Sequence, residues 1–174
     1  MHLFTIGHST RSFEELLSLL KEHEIQVLVD VRRWPSSKRN PQFNREALEK
    51  SLAEKGIKYV WLGEELGGYR RKGLGENSPN KGWSSKGFRN YADHTLTEEF
   101  EMGIRKLLSY TEKQRVVYIC AELVPWKCHR RIISDYLVVE GHRVTHIVGE
   151  GEVREHKLTS FAKFVDGKLL YPKS

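Results

Sequence analysis

Cys128, His129 and Arg130 stand side by side at the end of Cys120-Ala-Glu-Leu-Val-Pro-Trp-Lys-Cys-His-Arg130, a stretch that holds both cysteines of the chain. A thiol at a helix start, next to an imidazole and a guanidinium, has surroundings that favour thiolate, so Cys128 is a candidate nucleophile. The alternative is a structural cysteine packed on Trp126. Cys120 closes the apolar run Val116-Val117-Tyr118-Ile119 and reads as a buried, inert thiol. Glu122 is either a general base or the partner of Arg130 or Arg32. Asp30, between Val29 and Val31, poses the same choice between proton chemistry and an ion pair. His8 is a candidate acid–base group or a helix cap. Arg32 and Arg130 offer planar donors to paired anionic oxygens, with Ser9 and His129 beside them.

Several chemistries fit these residues less well. Cys120, Cys128, His129 and a carboxylate resemble a zinc ligand set, but seven residues separate the cysteines and no C-x-x-C occurs, so no metal is expected. Dithiol exchange needs Cα atoms within about 7 Å, a distance on which the sequence is silent. A phosphate loop of the form C-x5-R is missing, because Trp126 and Ser134 occupy the arginine position after the two cysteines. The residues leave any cofactor open.

These residues need a scaffold, and hydrophobic periodicity supplies one. Residues 3–7, 27–31, 58–62, 116–120 and 144–148 are apolar, β-rich runs of the kind buried in parallel sheets. Helical spacing separates them. Ser12 and Glu15 form a capping box before Phe13, Leu16, Leu17 and Leu20. Asn44 caps a helix running to Lys55, closed by Gly56. Thr95 and Glu98 cap one with Phe100, Ile104, Leu107 and Leu108, and Ile132, Ile133, Tyr136 and Leu137 mark the last. The alternation predicts an α/β fold with three layers, α/β/α, around a mostly parallel five-stranded sheet. Asp166-Gly167 between apolar flanks predicts a C-terminal hairpin. Strand ends on one rim of such a sheet are where ligands bind. His8, Ser9, Asp30, Arg32, Glu122, Cys128 and Arg130 all fall there.

The 174 residues suit a single domain, residues 1–174, with a long basic loop insertion at 63–94 and a C-terminal extension at 152–174. Lysine and arginine exceed aspartate and glutamate by 29 to 23, a net +6 that suits an anionic partner. Residues 69–91 carry six cations, one acid and the rings of Tyr69, Trp83, Phe88 and Tyr91. Arg70, Arg71 and Trp83 are the loop contacts expected for a nucleotide or single strand, against a plain solvated loop. No apolar run approaches the ~20 residues of a membrane span. Met1–Gly7 lacks a basic n-region and reads as a strand rather than a signal peptide. With only two cysteines, a reducing, cytoplasmic setting is expected.

Taken together, Thr5-Ile6-Gly7-His8-Ser9 with Phe13, Leu28-Val29-Asp30-Val31-Arg32 with Pro35 and Ser36, and Leu66-Gly67-Gly68 make one pattern. Cys120-Ala121-Glu122, Pro125, Cys128-His129-Arg130, Gly141, Val144, His146 and Ile147 complete it. This pattern resembles the domain of unknown function 488 family. The family has no settled activity, so the resemblance marks the pocket and not the reaction. From the residues, the leading expectation is an enzyme acting on a phosphate-bearing substrate: a nucleotide, nucleic acid or related metabolite. The alternatives are a non-catalytic nucleic-acid or nucleotide-binding module, and cysteine-dependent sulfur or phosphoryl transfer.

Overall fold

A computed structural model describes all 174 residues. Five parallel strands, β1 (His2–Gly7), β2 (Val27–Asp30), β3 (Lys58–Trp61), β4 (Val116–Cys120) and β5 (Arg143–Gly149), form the centre of one sheet. A sixth, β6 (Glu152–Glu155), pairs antiparallel with β5 and gives the order β3-β2-β4-β1-β5-β6. The sheet thus has six strands rather than the expected five. All four residues of β6 are exposed and three are charged, so no apolar alternation marks the segment in the sequence. A charged edge strand of this kind also resists pairing with other chains.

Side-chain alternation splits the sheet's two faces. Phe4, Ile6, Leu28, Val117 and Ile119 point to one side, where α1 (Phe13–Glu22) and α2 (Arg45–Ala53) bury Leu16, Leu20, Leu48 and Leu52 against them. Leu3, Val27, Val29, Val116 and Tyr118 point to the other side. There α4 (Lys86–His94), α5 (Glu98–Thr111) and α6 (Arg130–Val139) supply Tyr91, Phe100, Ile104, Ile132 and Ile133. The expected three layers are therefore present.

Capping explains most helix starts. Ser12 and Glu15 exchange both bonds of the capping box, at 3.0 and 3.1 Å. Asn44 precedes α2 as expected, yet its Oδ1 accepts from Ser37 N at 2.6 Å and so ties down the preceding loop instead. Thr97, and not Thr95, caps α5 by accepting from Phe100 N at 3.2 Å; Thr95 instead ends α4. The 63–94 region is less irregular than its composition implies. It holds the short α3 (Gly63–Leu66), a 3-10 turn and α4. In the tail, β7 (Lys163–Val165) and β8 (Lys168–Leu170) make the predicted hairpin, with Asp166 and Gly167 at φ 50° and 76°. The hairpin stays apart from the main sheet, and Leu169 within β8 and Tyr171 just after it join the core beside α6.

Candidate active site at the carboxyl rim of the sheet

The carboxyl ends of β1, β2 and β4 lie side by side, Gly7 opposite Cys120 and Asp30 opposite Ile119. Above them opens a cleft of about 670 Å³. His8, Ser9, Arg32, Glu122, Cys128 and His129 line it, with Cys120 at its floor. Asp30 and Arg130 do not reach it; they lie behind, 0% and 1% exposed.

Gly7 makes the rim possible. A Cβ there would stand 1.9 Å from the Glu122 carbonyl oxygen and 2.9 Å from Arg130 Nη2. The absent side chain lets the turn after β4 fold back over β1. Glu122 contributes to the rim chiefly through that carbonyl, which accepts from Arg130 Nη2 at 2.5 Å. Its carboxylate is exposed and bonds only the Val124 N–H, at 3.4 Å.

Asp30 and Arg32 form a closed unit. Arg32 donates from Nε to Asp30 Oδ1 at 2.8 Å and from Nη2 to Oδ2 at 2.7 Å, a bidentate pair. Nη2 also donates to Phe43 O at 2.8 Å, and Nη1 to His8 Nε2 at 3.2 Å. Tyr59 Oη adds a 2.5 Å bond to Asp30 Oδ2. Burial and the Asp30 charge push the Tyr59 phenol well above its usual range. Arg32 thus has most of its donors committed inside the protein. The bond from Arg32 fixes the tautomer of His8: Nδ1–H donates to Ser9 O at 2.9 Å and Nε2 accepts. Burial lowers the His8 pKa to about 4, so the ring is neutral near pH 7. Ser9 adopts φ 48°, a left-handed conformation uncommon outside glycine.

The two thiols meet. Cys120 Sγ and Cys128 Sγ are 3.1 Å apart, both free, and Arg130 Nε donates to Cys120 Sγ at 2.9 Å. Burial by itself would raise the Cys128 thiol. The Cys120 hydrogen bond and the Arg130 charge, helped by the Arg130 backbone N–H, outweigh it and lower the pKa to about 5. Cys120, buried at the cleft floor, is pushed well up by burial and by its hydrogen bond with Cys128. The arrangement therefore favours ionisation at Cys128 and keeps the proton on Cys120. His129 donates from Nε2 to Val31 O at 2.7 Å, which leaves Nδ1 as an acceptor against Gly68. Burial lowers its pKa and keeps it neutral.

The expected loop contacts fall elsewhere. Trp83 is 6% exposed, stacked on Phe88 and edge-on to Phe161, with Arg131 over its ring. Arg70 donates to the carbonyls of Gly67 and Glu64, and Arg71 is exposed outside the cleft. Instead the cleft mouth is flanked by Arg33, Trp34, Arg39, Tyr69 and Lys127. Trp34 and Tyr69 are 60% and 81% exposed with ring centroids 5.9 Å apart. Trp34 gives no sequence signal beyond its place in a basic loop. No group of three or more His, Cys, Asp or Glu side chains stands in metal-binding geometry, and no helix is long and apolar enough to cross a membrane.

Neither the curated proteins nor the solved structures include a match to the chain. The family model described as "Domain of unknown function DUF488" matches residues 12–137, from the cap of α1 to the end of α6's buried face. That span holds Asp30, Arg32, Cys120, Cys128 and Arg130, and the chain belongs to the DUF488 family.

Proposed function

We propose that the protein is an enzyme that uses Cys128 as a nucleophile on a phosphate-bearing, ring-containing substrate such as a nucleotide. One observation carries the reading: Cys128 lines the cleft with the Cys120 thiol 3.1 Å behind it and the Arg130 guanidinium on that thiol, surroundings that favour the Cys128 thiolate. Attack forms a bond from Sγ to the electrophilic centre and breaks the bond to the leaving group. The leaving group takes a proton from water in the open cleft, because Cys120 stands behind the attacking sulfur. A second water then hydrolyses the bond to Sγ, restores the Cys128 thiolate and returns one proton to solvent, so atoms and charge balance. His129 Nδ1 is the nearby acceptor able to orient the water.

The lining supports the substrate class. Apart from Arg32, which Asp30 neutralises, Arg33, Arg39 and Lys127 outnumber the single lining carboxylate, Glu122, and neither Arg39 nor Lys127 has an ion-pair partner. Anion binding falls to the mouth residues, because Arg32 and Arg130 are occupied internally. Two facing free thiols suit a reducing compartment. The exposed Trp34–Tyr69 pair also favours a second reading, a nucleic-acid or nucleotide-binding module without chemistry.

A panel of nucleoside and sugar phosphates, followed by native mass spectrometry and product analysis, separates the two. For the enzyme, Cys128→Ser should leave binding intact and cut turnover at least about thousandfold. Trp34→Ala should weaken binding roughly tenfold in either case. Binding with no turnover of any bound compound would favour the module, and no phosphate-bearing ligand at all would remove both readings.

A further inference from the structure

The face of the sheet covered by α6 carries a row of buried polar side chains that the reaction above does not use. Thr5 sits in β1 with Tyr118 of β4 on one side and His146 of β5 on the other. Facing them, α6 presents Arg130, Ser134 and Asp135, 1%, 0% and 0% exposed. Groups this deeply buried are costly unless each polar atom is satisfied. Here they are satisfied by one another.

Arg130 Nη1 bonds Thr5 Oγ1 at 2.9 Å, and Thr5 Oγ1 bonds His146 Nδ1 at 2.6 Å. His146 Nε2 then meets His156 Nδ1 at 2.9 Å, and His156 Nε2 meets Asp135 Oδ1 at 2.7 Å. The direction of the row follows from its ends. A guanidinium only donates and a carboxylate only accepts. With both imidazoles neutral, every atom is satisfied in one way. Thr5 donates to His146 Nδ1, His146 Nε2–H donates to His156 Nδ1, and His156 Nε2–H donates to Asp135. Burial, with the Arg130 charge nearby, lowers the His146 pKa to about 3, in keeping with a neutral ring. The far end is anchored by the C-terminal segment: Asp135 also accepts from Tyr171 Oη at 2.8 Å and Thr159 N at 3.1 Å.

At the near end, Arg130 Nε donates to Cys120 Sγ at 2.9 Å, so the row ends on the thiol pair. It cannot carry a proton to sulfur, because a guanidinium does not give one up. It can hold a charge in place. We propose that Thr5, His146, His156 and Asp135 are positioning residues that fix the Arg130 guanidinium against the Cys120–Cys128 pair and so set the reactivity of Cys128. Through them the C-terminal segment is coupled to the cleft from the opposite side of α6. The proposal rests on the reading of Cys128 as the ionised nucleophile.

The test is the pH dependence of Cys128 alkylation by iodoacetamide, followed by peptide mass spectrometry on the full-length protein, a readout independent of substrate. Thr5→Val keeps the shape of the side chain and removes the hydroxyl, Thr5→Ser restores it, and His156→Ala breaks the row at a less enclosed point. Thr5→Val and His156→Ala should each move the alkylation midpoint up by about one unit, which lowers the thiolate fraction at pH 5 about fivefold. Thr5→Ser should match the wild type. If Thr5→Val does not fold by circular dichroism, His156→Ala decides alone. Folded variants that titrate with the wild-type midpoint would overturn the positioning role while leaving Cys128 a nucleophile. A wild-type Cys128 that titrates near the ordinary thiol value would overturn the nucleophile reading and the row's role together.

Discussion

At the scale of single residues, the carboxyl rim is ordered by the cost of burying charge. Asp30 is fully buried and accepts from Arg32, Tyr59 and the Arg32 backbone N–H, so its charge is compensated on every side. The sequence presents Arg32 as an anion clamp or as the partner of Asp30, and the bidentate geometry matches the second. Arg32→Ala would leave the carboxylate with Tyr59 and a backbone N–H only. It should cost about 3–5 kcal/mol, seen as a large fall in the urea midpoint, whereas an unchanged midpoint would mean the pair is not structural. Cys128 follows the opposite logic, since its charge is stabilised and still faces a cleft. At neutral pH iodoacetamide should modify Cys128 well before Cys120, with a rate that rises through about pH 5 and then levels off. Equal rates at the two sulfurs would contradict the shared-proton arrangement. Residue types in the sequence pointed to this cluster because charged and nucleophilic side chains are rare beside buried strands. They could not show which side chains face the cleft and which stand behind it, since that depends on where β1 and β4 align.

At the scale of elements, the five parallel strands, the three-layer arrangement, the capping box of α1 and the tail hairpin are legible in hydrophobic period and turn chemistry. Elements without an apolar period are not. The exposed strand Glu152–Glu155 reads as solvated chain, and α4, with Asn90 and Asp93 buried among its polar residues, reads as loop. Asp93 shows why. It is satisfied by Ser78 at 2.6 Å, Asn80 at 2.8 Å and the Leu74 N–H at 2.8 Å, partners that polar composition alone does not reveal. The buried face of α6 is a partial case. Ile133 and Leu137 fix the inward stripe, so Arg130 and Ser134 on the same side could have been placed inside from spacing, but not their partners across the sheet. The junction between β1 and the turn after β4 depends on Gly7. Gly7→Ala puts a methyl group 1.9 Å from the Glu122 oxygen, backbone that cannot yield cheaply. The variant should lose about 2–3 kcal/mol of stability, and its alkylation midpoint should rise because Arg130 is displaced. A variant as stable as the wild type would show that the turn after β4 is freer than the packing implies.

At the scale of the whole molecule, the fold keeps several imidazoles uncharged in places that serve different ends. His8 sits between the Phe43 ring, 4.6 Å away, and Arg32 at the rim. His94 donates to Glu65 O at 2.6 Å and so joins α4 to α3. His146 is the centre of the buried row. Burial lowers all three, His8 and His94 to about 4 and His146 to about 3. The sign of the consequence is set by the unfolded chain, whose histidines take up protons near pH 6.5. Between that pH and about 4 the unfolded state binds protons that the folded state refuses, so stability is full above pH 6.5 and drains away as pH falls. Each histidine accounts for about 1–2 kcal/mol by pH 5, a large part of the margin of a domain this size. Urea unfolding should therefore show a midpoint that is steady from pH 8 to 7 and drops steeply between pH 6.5 and 4.5. Replacing His94 with glutamine, which can still donate to the Glu65 carbonyl, should remove part of that slope. A midpoint that holds level down to pH 5 would mean these rings accept protons inside the fold, and the neutral tautomers assigned to the rim and to the row on α6 would fall with it.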